Sequence, residues 1–181
     1  MIISEDMENQ LMATKKKQFK RIVIHHTGGV YRPNDIDLSH YHFLIDQYGN
    51  VIRGKYKPED NLDCNDGKYA QHCGGGNTGA IGIALCGNIG WNTRMRVSSC
   101  PLTHKQFESA WMLCGQLCLE YGLKPEDCIT HAKFGKDNPN TTSYGKVDII
   151  HIPYNNLYGV EEVNKLSQNK INWYYQKLKN K

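Results

Sequence analysis

No run in this sequence approaches the roughly 18 consecutive apolar residues that a membrane-spanning helix needs, so no span is expected. The first twenty residues lack an apolar stretch behind a basic start. A secretory leader is therefore not expected, and the expected location is cytoplasmic. There is no Cys-x-x-Cys pair, which argues against a zinc knot held by four thiolates. No basic run is interleaved with aromatics, so a nucleic-acid groove is not expected either. Repeats and low-complexity tracts are also lacking, which leaves an ordinary folded domain.

What is present fits that reading. The chain has 181 residues, of which 22% are charged and 39% hydrophobic, enough for one domain with a real core. The formal net charge of +4 favours anionic partners without choosing among them. Lys15, Lys16, Lys17, Lys20 and Arg21 form a short basic cluster that reads as a solvated face. The seven cysteines are an odd number, which argues against a complete disulfide framework. Cys114 and Cys118 stand at helical i,i+4 spacing, and buried reduced thiols are the expectation for the set.

Local pattern divides the chain into an N-terminal extension over residues 1–20 and a domain over 21–181. A short helix is expected over 5–17. Residues 21–26 (RIVIHH) read as a buried β-branched strand stopped by Thr27, Gly28 and Gly29. Residues 31–39 read as a loop. A hairpin follows, with strands over 41–46 and 51–55 around a turn at 47–50. Residues 57–79 are polar and glycine-rich, a long loop of the kind often used for function. Residues 80–86 (AIGIALC) read as a central strand, and 91–100 as irregular. Thr103 is a candidate N-cap for a helix over roughly 104–121, with Phe107, Trp111, Leu113, Leu117 and Leu119 on its apolar face and Gly122 ending it. Residues 128–131 (CITH) form a short strand, 132–147 a polar loop, and 159–178 a last helix. Strands interleaved with helices predict an α/β domain with a central mixed sheet flanked by helices.

Three polar residues stand where a rigid sheet can hold them. His25 ends the first strand, His131 ends a late strand, and Asp148 follows the long polar loop. Two neutral imidazoles and a carboxylate are a ligand set from which a hydrolytic zinc site can be built, leaving one position for water. Each residue alone also has an ordinary structural reading, and their distance along the chain does not mark them as a set.

Five blocks in order give the sequence a specific resemblance. They are Ile22-Val23-Ile24-His25-His26-Thr27; Tyr41-His42-Phe43-Leu44-Ile45; Tyr69-Ala70-Gln71-His72 with Asn77 and Ile81-Gly82-Ile83; Thr130-His131; and Lys146-Val147-Asp148. Over about residues 21–153 the chain resembles the amidase-2 superfamily, which includes T7-type lysozymes, anhydro-muramyl amidases and peptidoglycan recognition proteins. The resemblance implies an N-acetylmuramoyl-L-alanine amidase that binds Zn2+ through His25, His131 and Asp148. It implies catalytic roles for Tyr41 and Lys146. It places His72 and Asn77 along the cleft, where they would meet substrate. The implied partner is peptidoglycan or a released muropeptide, acted on by a bacterial recycling enzyme or by a phage endolysin held in the host cytoplasm. The alternative is a non-catalytic peptidoglycan receptor on the same fold.

Three departures bear on these assignments. The segment between His131 and Asp148 is longer than is typical of the family, which leaves Asp137 as a competing carboxylate. Ala84 stands where the anhydro-muramyl branch carries a glutamate, which favours the tyrosine-using branch. The third ligand is Asp rather than Cys. Among the other histidines, His26 is the alternative to His25, since adjacent strand residues face opposite sides. His42 reads as a core or supporting group, His104 as a surface residue at a helix start, and His40 and His151 as structural, with His151 near enough to Asp148 to support it.

Overall fold

A computed structural model describes residues 18–180. The helix read over 5–17, and with it Lys15, Lys16 and Lys17, lies outside the described residues. Five strands form the central sheet in the order β3-β2-β4-β1-β5. These are β1 (Arg21–His26), β2 (Phe43–Ile45), β3 (Val51–Arg53), β4 (Ala80–Leu85) and β5 (Cys128–Thr130). β2, β4, β1 and β5 run parallel, and β3 closes the β2 hairpin antiparallel. The sheet is therefore mixed, and the α/β expectation holds. A second, two-stranded sheet pairs β6 (His151–Ile152) with β7 (Leu157–Tyr158).

β4 is fully buried and sits in the middle, as its sequence predicts. Its alternation of large and small residues sorts the two faces of the sheet. Ile81, Ile83 and Leu85 join Ile22 and Ile24 of β1 in one apolar cluster. That face is covered by two long helices, α2 (His104–Tyr121) and α4 (Val160–Lys179), numbered after α1 (Asp35–His40) and α3 (His131–Asp137). Phe107, Trp111, Leu117, Val163 and Ile171 are the contributions of the long helices to the core. α2 begins at Thr103, whose side chain accepts from Gln106 N while Gln106 reaches back to the Thr103 backbone, and Gly122 ends it in the left-handed region. Leu119, expected on the apolar face of α2, is exposed.

Two segments read as loops contain short helices. α1 falls in 31–39 because Asn34 caps it and Asp37 closes a reciprocal capping box. None of its six residues is fully buried, and only Leu38 packs against the core, so no apolar period announces it. α3 takes the first half of 132–147, starting at His131 under the Thr130 hydroxyl, which accepts from Lys133 N. The loop at 57–79 is held from within by Asn61. Its amide donates to the carbonyls of Ala70 and Asn77, and its Oδ1 accepts from Ala70 N. At the start of the described chain, Phe19 packs edge-on to Tyr121 and Lys20 N donates to the Gly79 carbonyl.

β5 has only β1 beside it, yet its outer edge is not left bare. Asn164 Oδ1 accepts from Thr130 N at 3.0 Å, and Gln168 Nε2 donates to the Cys128 carbonyl at 3.1 Å. Both side chains come from one face of α4, spaced i,i+4. No helix among the described residues is long and apolar enough to cross a membrane.

Candidate metal centre

The face of the sheet turned away from α2 and α4 carries the polar chemistry. On β1 it presents Val23 and His25. On β4 it presents Ala80, Gly82 and Ala84, with His25 opposite Ala84 in register. Small β4 side chains leave room above the sheet for rings from other segments. β5 pairs Thr130 with Ile24, so His131, the first residue of α3, emerges beside the end of β1. Asp148 is tied to the start of α3 through its carbonyl, which accepts from Ala132 N at 3.4 Å. The next residue, Ile149, is buried with φ 58°. A β-branched residue in that region costs about 1–3 kcal/mol, so the surrounding packing dictates how the chain leaves Asp148.

His25, His131 and Asp148 converge, although 106 and 123 residues separate the latter two from His25. His25 Nδ1 lies 3.0 Å from His131 Nδ1 and 3.4 Å from Asp148 Oδ2, and His131 Nδ1 lies 3.1 Å from the same oxygen. A tetrahedral zinc ion with bonds of about 2.0–2.1 Å places its ligand atoms about 3.3 Å apart. The observed triangle is one face of such a tetrahedron to within a few tenths of an ångström. Two imidazoles and one carboxylate are also a donor set that zinc accepts, so the residues present fit the ion.

The electrostatics agree. Burial holds His25 neutral by lowering its pKa to about 4, with His131 opposing protonation and Asp148 only partly offsetting these effects. A carboxylate beside two imidazoles is a donor set that suits a divalent cation.

Tyr41 follows α1, and its ring centroid lies 5.2 Å from that of His25. Burial and the Asp148 charge raise its pKa far above the ordinary phenol value, so it is a proton donor rather than a base. Lys146 is exposed on the turn before Asp148, and its side chain has no hydrogen bond or ion pair among the described residues. His72 lies beneath the trio rather than along an open cleft, since it is 6% exposed and its Nδ1 is 3.0 Å from His25 Nε2. Asn77 is half-buried, with its Oδ1 accepting from Cys73 N. The hydrogen bonds of His72 and Asn77 are thus made to the protein itself.

The competing residues fall elsewhere. Asp137 ends α3 at the surface, paired with Lys133. His26 is not part of the convergent trio, and both its ring nitrogens are buried without a partner. His42 is a supporting group, accepting from Gly82 N and bonding Asn61 through Nε2. His104 bonds Glu108 on the surface of α2, and His151 bonds Asn156. Sequence reasoning passed over Ser143, which is fully buried with its Oγ 3.0 Å from His131 Nε2. Gly135 admits this serine's backbone, since a Cβ there would sit 2.0 Å from the Ser143 carbonyl oxygen. A glycine inside a short helix was the one available signal.

The comparisons with known proteins agree with this architecture. No curated protein matches the sequence significantly. Among solved structures, the bumblebee peptidoglycan recognition protein PGRP-SA aligns with 83% of this chain and 81% of its own at 16% identity and a TM-score of 0.51. The N-acetylmuramoyl-L-alanine amidase LysC from Clostridium intestinale aligns with 64% of this chain and 73% of its own, at 24% identity and a TM-score of 0.43. The amidase AmiD from E. coli aligns at 21% identity and a TM-score of 0.48, over 64% of this chain and about half of its own, 49%. At 16% identity the likeness to the bumblebee protein speaks to fold alone. The family model described as N-acetylmuramoyl-L-alanine amidase (Amidase_2) matches residues 15–145, more than half the sequence, and the chain belongs to that family.

Proposed function

We propose that the protein is a zinc-dependent hydrolase that cleaves the amide between N-acetylmuramic acid and L-alanine in peptidoglycan. The observation that carries this reading is the triangle of His25, His131 and Asp148 donor atoms, with edges of 3.0–3.4 Å. A zinc ion held there would bring the pKa of bound water to about 7 and polarise the scissile carbonyl.

The chain's own groups would do the rest. Asp148 would supply the charge that retains the cation, and the His25 and His131 imidazoles would hold it alongside. Tyr41, a phenol that keeps its proton, can donate to the oxygen that gains negative charge or to the departing amine. Lys146, free of any carboxylate partner among the described residues, can swing toward the same developing charge. We place the activity in wall lysis or recycling, carried out by a protein that reaches its substrate from the cytoplasm.

Two measurements test this together: the metal content of the purified protein, and the release of stem peptide from purified cell walls, with products identified by mass. Near one zinc per chain with new free L-alanine amino termini is the expected result. Firm binding to walls with zinc present and no amide cleaved would instead mark a receptor, and cleavage within the stem would mark a peptidase.

A further inference from the structure

We propose that His72 and Ser143 are positioning residues that hold the two ligand imidazoles with their inner nitrogens bare, through two relays that each end on a backbone carbonyl. The inference rests on the zinc reading above and concerns how the apoprotein prepares the site.

Backbone carbonyls only accept, so they decide the direction of both relays. In the first, His72 Nε2 faces the Ala80 carbonyl at 3.4 Å. The bond is long, but it is the contact open to that nitrogen, and a lone pair there would face another lone pair. The ring's single proton therefore sits on Nε2. His72 Nδ1 is then an acceptor, and His25 Nε2, 3.0 Å away, must donate to it. A neutral imidazole that donates from Nε2 is bare at Nδ1, the atom turned toward His131 and Asp148.

The second relay has the same logic. Ser143 Oγ donates its one proton to the Gly74 carbonyl at 2.8 Å. It then accepts from His131 Nε2 at 3.0 Å, and the Cys73 thiol, 3.7 Å away, can fill its remaining lone pair. His131 is thus also bare at Nδ1. The reverse arrangement would leave the Gly74 carbonyl without this donor. With both relays set, the three inner atoms are two ring nitrogens and a carboxylate oxygen, all acceptors, 3.0–3.4 Å apart. No proton is placed among them, and a cation is what satisfies all three.

The sheet is shaped for the first relay. A Cβ on Gly82 would lie 2.5 Å from His72 Cγ and under 3 Å from two further ring atoms, so only glycine at this point of β4 lets the imidazole lie against the strand.

The test uses the intact protein stripped of metal, with zinc as the probe in competition against a chromogenic chelator, and cobalt(II) as a spectroscopic substitute. His72→Ala and Ser143→Ala should each weaken zinc binding by about 10- to 100-fold. They should also reduce the intense visible bands of four-coordinate cobalt, while the thermal midpoints of the apoproteins stay near that of the parent. His72→Asn, whose Oδ1 can stand in for the Nδ1 acceptor, should recover most of the loss. Ser143→Ala removes a single oxygen and keeps the test open if the histidine variant fails to fold. Zinc affinity within twofold of the parent in both alanine variants, with unchanged cobalt spectra, would overturn the relays while leaving the hydrolase reading intact. A parent protein that takes up no zinc removes both.

Discussion

The two faces of the central sheet solve opposite problems. Toward α2 and α4 the sheet shows Ile22, Ile24, Ile81, Ile83 and Leu85, and every one is buried in apolar contact. Burying such a side chain is worth about 1.5–3 kcal/mol, and the geometry needs only to be dense. Toward the site the same strands show Val23, His25, Gly82 and Ala84, and four buried histidines, His25, His42, His72 and His131, lie on or above them. Here apolar area is given up, and the outer ring nitrogens must find polar partners. One face supplies stability, and the other spends part of it on holding acceptors close together.

The comparison breaks most visibly if ligands are removed. His25→Ala, His131→Ala and Asp148→Ala should each abolish turnover and zinc retention, read by wall digestion and metal content, while circular dichroism keeps the α/β signature. Turnover surviving in any one of them would take that residue out of the site. Lys146→Ala should keep metal and midpoint yet lose about 10²–10³-fold in kcat, the cost of about 3–4 kcal/mol expected when one donor to developing charge is removed. A normal rate would strike the lysine from the mechanism.

Acid should act on the site face. His25 and His42 fall from the ordinary value of 6.5 to about 4 through burial, so the unfolded chain binds protons that the folded one refuses. Their contribution is therefore complete above pH 6.5 and lost as the pH falls toward 4, up to about 3 kcal/mol for each. The metal-free midpoint should drop between pH 7 and 4.5, and a flat profile would contradict buried neutral imidazoles. The smallest effect belongs to the other face. Ile81→Val should cost about 1 kcal/mol in denaturant unfolding and leave zinc affinity unchanged. A shift in affinity would mean the faces are coupled through β4.

The long elements were legible because their signals are local. RIVIHH and AIGIAL declare buried strands, and Thr103 and Gly122 bracket α2 to the residue. The short helices were not, since α1 and α3 are set by the caps Asn34 and Thr130 rather than by an apolar period. At the site, no spacing rule links residues more than 100 positions apart, and only the resemblance joined His25, His131 and Asp148 in advance. Ser143 stayed hidden because its role depends on the approach of its backbone to Gly135, a tertiary fact. The place of His72 beneath His25 depends likewise on the bare Cα of Gly82, which the sequence displays without saying what fills the space.

The way α4 treats β5 has a consequence for association. Asn164 and Gln168 imitate the hydrogen bonds of a sixth strand, so a second chain cannot add itself beside His131 without first dislodging a helix. Recruitment of foreign backbone is thereby steered to the far border of the sheet, at Val51–Arg53, where a three-residue strand carrying an arginine offers a poor template. The ligand-bearing end of the molecule is thus insulated from strand exchange by two amides.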